Sequence, residues 1–138
     1  MKELLELVAA NPDLPIVAMV NGEVCWDDTM YWMAGFSSVS VEHVGLINER
    51  WYDDVESFKE AYYDKYAEEL CEKFNYNPRC CTASAERGEH TQEQLEVNCL
   101  AEEELELYLN EKVKEYMKKC IVVYIDEFDI EANGWKEA

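Results

Sequence analysis

Five side chains that could bind a metal or act as nucleophiles lie close together in the middle of the chain. They fall within 29 residues: Cys71, Cys80, Cys81, His90 and Cys99. Thiolates and imidazole are the donors of a tetrahedral zinc site, and such a site would also order the surrounding loop. Zinc binding depends on ligand spacing, however, and the chain contains no Cys-x-x-Cys pair. Reduced thiols without a metal are the preferred interpretation, and structural zinc is the alternative.

Residue patterns for catalysis are sparse in the rest of the chain. The five glycines are scattered and form no phosphate-binding loop, and no Gly-x-Ser-x-Gly nucleophile motif occurs. His43, flanked by valines two residues before it and one after, is typical of a structural residue in a strand. The Asp27–Asp28 pair is typical of a turn. We therefore expect a protein that is not an enzyme and needs no cofactor.

The net charge of −19 is the most informative property of the 138-residue chain. A compact protein of 16.1 kDa exposes roughly 7,000 Å², so its 31 acidic residues average about one per 240 Å². Duplex DNA carries very roughly one charge per 100 Å², a density that acidic residues clustered on one face could match. Repulsion disfavours direct binding to nucleic acid or to an anionic membrane. The charge therefore favours a basic protein as partner.

Residues 21–36, NGEVCWDDTMYWMAGF, place aromatic side chains directly behind acidic ones. From residue 30 to residue 36 both alternating faces are apolar, which predicts an inner strand with Trp32 in the core. The alternative is that Tyr31 or Trp51 is exposed as an anchor for a partner beside the carboxylates. The predicted partner-binding residues are Asp27, Asp28, Tyr31, Trp51, Asp53, Asp54, Glu102, Glu103 and Glu106.

The first half of the chain reads as one helix followed by four strands. Residues 2–10 form the helix, and two apolar runs on either side of Asn21–Gly22 predict a two-residue hairpin. Two more strands are expected over about residues 30–37 and 38–47.

The second half reads as two helices and a strand. Asp53 is the expected cap of a helix that ends at Asn75, and Thr91 caps a second helix that bends near Asn98. If a new helix starts near residue 101, its early glutamates and late lysines suit the helix dipole. The apolar run CIVVYI, 120–125, predicts a central strand.

These elements predict an α+β fold in the order α-β-β-β-β-α-α-β. We expect a single domain over residues 1–138, with a mostly antiparallel sheet of about five strands and helices mainly on one side. Residues 64–104 are interpreted as a helical and loop insertion, and residues 126–138 as an acidic tail. Neither a signal peptide nor a membrane span is predicted, so a cytoplasmic location is expected.

Three stretches carry a resemblance to known proteins. The segments NPDLPIVAMVNGEV, YWMAGF and KKCIVVYID resemble small proteins of bacterial prophages and mobile elements. In size and acidity the chain is also similar to anti-CRISPR and anti-restriction inhibitors, many of which mimic nucleic acid. The resemblance covers about half of the chain and includes no catalytic residue.

The resemblance and the charge together lead to one functional expectation with two alternatives. We expect a non-enzymatic inhibitor in the bacterial host cell that binds the basic nucleic-acid-binding surface of a defence nuclease, such as a CRISPR effector. The first alternative is an acidic regulatory module whose partner is unrelated to nucleic acid. The second is a protein that sequesters a small ligand, for which an enclosed pocket would be the signature.

Overall fold

The computed structural model describes residues 2–22, 24, 34–132, 134, 136 and 138. Within these residues the chain is an α+β protein with four helices and a four-stranded mixed sheet, whose strand order is β1-β4-β2-β3. The elements in chain order are α1 (Lys2–Ala10), β1 (Ile16–Val20), β2 (Ala34–Ile47), β3 (Arg50–Tyr52), α2 (Val55–Phe74), α3 (Thr82–Glu86), α4 (Gln92–Tyr116) and β4 (Lys118–Glu127).

Strand β4 lies between β1 and β2, which confirms the central strand predicted from CIVVYI. Four consecutive residues, 120–123, are buried there. β1 and β4 run parallel, from Ile16 opposite Ile121 to Val20 opposite Ile125. The sheet is therefore mixed rather than wholly antiparallel, and it has four strands in the described residues where about five were expected. A parallel pair needs a long crossover, and the entire chain between β1 and β4 supplies it, a connection that local patterns do not reveal.

A short strand that the sequence did not predict, β3, forms a hairpin with β2. Ile47 pairs with Arg50 across a two-residue turn. The turn residues Asn48 and Glu49 have φ of 50° and 64°, the positive values that tight hairpin turns require. Glutamate rarely adopts this conformation, so the usual Asn-Gly signal is absent and the turn is hidden in the sequence.

The hairpin predicted at Asn21–Gly22 is described only as far as its turn. The Val24 N–H donates to the Asn21 carbonyl oxygen at 3.0 Å, and the Asn21 N–H donates to the Ile125 carbonyl oxygen at 2.9 Å. The strand expected after it, the first part of the strand over 30–37, and the core position of Trp32 lie outside the described residues. The described part of the predicted third strand joins the fourth in one long strand, β2.

Both long helices begin at side-chain caps, although the first cap is one residue later than expected. Asp54, not Asp53, accepts from the Ser57 N–H at 2.8 Å. Thr91 and Gln94 form the predicted reciprocal capping box of α4. The bend expected near Asn98 is wrong, because α4 is one helix of 25 residues and the Asn98 side chain bonds to a neighbouring loop rather than to its own helix.

The chain divides into two compact units. The first contains Met1–His43 and Lys118–Ala138, and the second contains Val44–Met117. In the first, α1 contacts β4, and β4 extends through Asp126 and Glu127, which the sequence assigned to the tail. In the second, α2 and α4 pack together around two apolar clusters. Residues 64–104 cover parts of both helices together with α3 and its flanking loops.

Gly45 is required by close packing in the second unit. A Cβ atom at this position would lie 2.6 Å from Cδ2 of the fully buried Phe58 and 3.1 Å from Cγ of Met117. We expect Gly45→Ala to lower the free energy of unfolding by about 1–3 kcal/mol, the usual effect of overpacking. Urea denaturation followed by circular dichroism measures this change.

Gly22→Ala is the matched control for this prediction. No described atom lies within 4 Å of the Cβ that this substitution adds. We expect its free energy of unfolding to stay within about 0.5 kcal/mol of the parent value. Equal stabilities for the two variants would contradict the packing described around Phe58.

Candidate protein-binding face

Helices α2 and α4 form an antiparallel pair, referred to below as the helix pair. Phe58, near the start of α2, belongs to a cluster that Val113, near the end of α4, packs against. Leu70, near the end of α2, packs instead with Leu105 and Leu109. Since the core contacts use one side of each helix, the opposite sides present their side chains to solvent.

The second unit carries a large excess of negative charge on its surface. Residues 44–117 contain nineteen acidic and eight basic residues, which leaves a formal charge of −11. All nineteen acidic residues are exposed. A surface of this kind produces a negative potential that attracts basic molecules and repels phosphates.

Several of the few lysines lie against aromatic rings of the helix pair. Lys73 Nζ is 4.3 Å from the centroid of the Tyr108 ring, and Lys112 Nζ is 5.1 Å from the same centroid. Lys65 Nζ is 5.4 Å from the centroid of Tyr66. Such cation–π contacts hold the ammonium groups near the protein's own rings. Lys112 Nζ also lies 2.8 Å from Glu115 Oε2, so a lysine held at a ring still pairs with a neighbouring carboxylate.

Lys59 is the one buried cation among the described residues, with 7% of its side chain exposed. Its ammonium group donates a short hydrogen bond to Glu106, donates to Asn110 Oδ1 at 3.2 Å, and lies 3.1 Å from Glu56 Oε1. The hydrogen bond to Glu106 raises the pKa of Lys59, although burial acts in the opposite direction. A raised lysine pKa stabilises the fold at every pH below the normal value of about 10.5 and ceases to do so only above it. Lys59 is therefore charged throughout the neutral range.

A groove of about 310 Å³ lies beside Lys59 on the helix pair. Its lining residues are Glu56, Lys59, Glu60, Tyr63, Tyr76, Glu102, Leu105, Glu106 and Leu109. Four carboxylates and one ammonium group leave three negative charges in excess. The hydrogen bond to Cys71 and burial raise the pKa of Tyr63 to about 12, so its ring is neutral at physiological pH. The groove can accept a cationic side chain, with carboxylates for its charge and rings for its alkyl stem.

Asn98 anchors the irregular segment between the two helices of the pair. Only 6% exposed, it accepts from the Asn77 N–H at 2.7 Å and donates to the carbonyl oxygens of Asn77 and Cys80 at 3.0 and 3.1 Å. His90 extends this network, because its Nδ1 lies 3.0 Å from Ser84 Oγ. These hydrogen bonds order the loop, for which structural zinc was the alternative interpretation of the sequence.

The candidate metal ligands around this loop have separate environments. Cys80 is buried, Cys81 and Cys99 are exposed, and the Cys71 thiol lies 3.3 Å from the Tyr63 hydroxyl. In the parts of the chain that the structure describes, no three His, Cys, Asp or Glu side chains are grouped as a metal site requires. Hydrogen bonds from Ser84 to the exposed Cys81 sulfur lower the pKa of that thiol.

The predicted partner-binding residues fall into three groups. Asp27, Asp28 and Tyr31 lie outside the described residues. Exposed positions at the junction of β3 and α2 are occupied by Trp51, Asp53 and Asp54, and hydrogen bonding to Ser57 lowers the pKa of the Asp54 cap. Exposed positions in the middle of α4 are occupied by Glu102, Glu103 and Glu106.

The structure connects the start of α2 with Glu106, one of the predicted residues, through a lysine that the sequence analysis missed. Lys59, in the second turn of α2, contacts Glu106, so the acidic start of α2 lies beside the middle of α4. The sequence did indicate that Lys59 lies on the packed side of the helix. This residue follows the core residue Phe58 and lies three and four positions before Tyr62 and Tyr63. Glu106 therefore has a structural role in addition to any role in binding.

We expect Glu106→Gln to lower the free energy of unfolding by about 1–2 kcal/mol. The substitution removes the main charge partner of a buried ammonium group, while Glu56 and Asn110 keep part of its coordination. Urea denaturation at neutral pH measures the change. Glu103→Gln on the same helix is the control and should stay within about 0.5 kcal/mol of the parent. Indistinguishable variants would rule out a stabilising role for the Lys59–Glu106 pair.

We expect Asn98→Ala to release the loop, because it removes three hydrogen bonds and leaves their backbone partners unsatisfied. The cost is about 1–3 kcal/mol, which raises the population of the open loop by roughly 5- to 150-fold. Limited trypsin digestion, with cleavage after Arg79 and Arg87 quantified by mass spectrometry, reports this opening. The neighbouring exposed substitution Cys99→Ala should leave the cleavage rates unchanged. Equal rates for Asn98→Ala and the parent would mean that other contacts hold the loop.

Two observations concern the chain as a whole. None of the helices in the described residues has the length and apolar character that crossing a membrane requires.

The chain matches no known protein family, no curated protein and no solved structure in comparisons of sequence and fold. The binding properties of the helix pair must therefore be inferred from its own charge and geometry.

Proposed function

We propose that this protein is a non-enzymatic inhibitor whose helix pair occupies the basic nucleic-acid-binding surface of a bacterial defence nuclease, such as a CRISPR effector. It binds its protein partner directly, in the cytoplasm of the bacterial host, and contacts neither nucleic acid nor membrane. The exposure of all nineteen acidic residues in the second unit supports this proposal most directly. A basic surface that has evolved to bind phosphates attracts the same pattern of negative charge.

The linear density of carboxylates on the helix pair is comparable with the density of phosphates on nucleic acid. α4 carries eight acidic residues over about 37 Å, and α2 carries six over about 30 Å. Side by side, these fourteen carboxylates average about one per 2.7 Å of helix axis. Duplex DNA carries one charge per ~1.7 Å and each of its strands one per ~3.4 Å. The carboxylates alone fall between the two values, and when the five lysines of the two helices are counted the net charge is −9, or about one per 4 Å.

Three consecutive glutamates, Glu102, Glu103 and Glu104, form what we call the acidic turn. α4 begins at Gln92, so the acidic turn lies in the middle of the helix, where the dipole gives it no stabilisation. No cation among the described residues pairs with any of the three. Glu102 also lies one turn from Glu106, and like charges at this spacing destabilise a helix slightly. Since no ion pair or helix cap of the described residues uses these carboxylates, binding is the explanation that we favour for them.

We expect the variant Glu102→Gln, Glu103→Gln, Glu104→Gln to keep its fold and to lose binding. Its free energy of unfolding should be unchanged or slightly higher, because repulsion is relieved. Affinity for the partner should fall at least about tenfold, since three charges at roughly 0.5–1 kcal/mol each exceed one decade. The partner is obtained by affinity capture from a bacterial lysate at low and then moderate salt, and the dissociation constants follow by surface plasmon resonance.

The control variant removes three acidic charges from the first unit: Glu6→Gln, Asp13→Asn and Glu131→Gln. It has the same net charge as the acidic-turn variant and should bind like the parent. Binding of the parent should also weaken as salt rises and should be competed by duplex DNA. A captured partner that DNA does not displace would favour the regulatory module unrelated to nucleic acid. Normal binding by the acidic-turn variant would contradict the proposal.

A further inference from the structure

The outer side of α4 carries an apolar row that nothing in the described structure covers. Val97, Leu100 and Leu107 are all exposed, with 63% of Leu100 and 67% of Leu107 accessible. These three residues are called the apolar stripe below. Leu100 and Leu107 lie seven positions apart on the side of α4 opposite the buried Leu105 and Leu109, and Val97, three positions before Leu100, lies at the edge of this row beside the loop at Asn77.

Carboxylates surround the apolar stripe. Within one helical turn of Leu100 are Glu96, Glu103 and Glu104, and within one turn of Leu107 are Glu103, Glu104 and Glu111. An apolar centre with a charged rim is the arrangement of an interface in which a few anchors are desolvated and the rim selects the partner. The rim here has one sign of charge, so it selects a cationic partner.

We propose that the apolar stripe binds a basic amphipathic α-helix of the partner protein. Apolar side chains of that helix pack against Leu100 and Leu107, and its flanking Lys and Arg side chains pair with the acidic rim. The inference rests on the proposed function and specifies how the nuclease is recognised. Basic helices are common in nucleic-acid-binding surfaces, where they enter the major groove, and α4 takes the place of that groove.

Charge complementarity separates this occupant from two others. A second copy of α4 would place the carboxylates on either side of the stripe against identical carboxylates, which costs several kcal/mol in a desolvated contact. An anionic membrane would meet the same repulsion. A basic amphipathic helix buries the two leucines and pairs with the carboxylates of the rim at the same time. The stripe also explains specificity, because an interface of exposed charges alone would accept any polycation.

The test uses a synthetic 21-residue peptide with Leu at heptad positions a and d and Lys at e and g. Two further peptides serve as controls: a scrambled sequence of the same composition and an oligolysine of equal charge. Isothermal titration calorimetry at about 0.15 M salt measures binding to the full-length protein. We expect the amphipathic peptide to bind at least about tenfold more tightly than either control peptide, because only it buries both leucines.

The protein variant that tests the stripe is Leu100→Gln, Leu107→Gln, which keeps every charge and a good helix former at both positions. We expect about tenfold or more loss of affinity for the amphipathic peptide, with unchanged binding of oligolysine. The matched control is Leu5→Gln in α1, where the leucine is 69% exposed, and it should bind like the parent.

Failure of this inference is distinguishable from failure of the proposed function. Equal binding of all three peptides, unaffected by Leu100→Gln, Leu107→Gln, would overturn the stripe as an anchor while leaving a purely electrostatic inhibitor intact. Failure of the parent protein to bind the amphipathic peptide would likewise overturn the stripe as an anchor and leave a purely electrostatic inhibitor intact. Sedimentation showing a dimer that this variant abolishes would assign the stripe to a second copy instead. Only the acidic-turn variant tests the proposed function itself.

Discussion

The packing of α2 against α4 is the constraint on which the second unit depends. Phe58 is fully buried, and it fits only because Gly45 in the facing strand has no side chain. Lys59, the next residue, then has its ammonium group held against Glu106 and Asn110. The helix register fixed by these contacts determines which carboxylates face the groove and which face outward. Without the packing, the acidic residues would have no defined arrangement.

Electrostatics and folding are largely separated in this unit. The core clusters are built from aliphatic and aromatic residues and Met117, and the carboxylates lie on exposed positions of the same helices. Glu106 and Glu56 are the exceptions, since they neutralise a buried lysine. The net repulsion among the remaining acids is a cost that the aromatic and aliphatic contacts of the helix pair must offset.

The parts of the structure that follow from local patterns could be predicted from the sequence. The apolar run of β4, the Thr91–Gln94 cap and the two long helices all depend on residues near each other in the chain. Burial of Lys59 depends on Glu106 and Asn110, about fifty residues away, and the anchoring role of Asn98 depends on the loop at Asn77.

The sheet shows the same division between local and distant information. The parallel pairing of β1 with β4 joins strands about one hundred residues apart, and no periodicity within either strand reports it. The β2–β3 hairpin was missed for a different reason. Its turn uses a glutamate at positive φ, where turn statistics lead one to expect glycine or asparagine.

The separation between core and charge has a consequence for how such a surface can change over evolutionary time. Exposed helical positions with no packing partner accept Asp for Glu, or a glutamate moved by one turn, at a cost of a few tenths of a kcal/mol. Core positions such as Phe58 and Leu105 have no such freedom. Substitutions can therefore change the pattern of negative charge as the target changes, while the core residues of the helices stay the same.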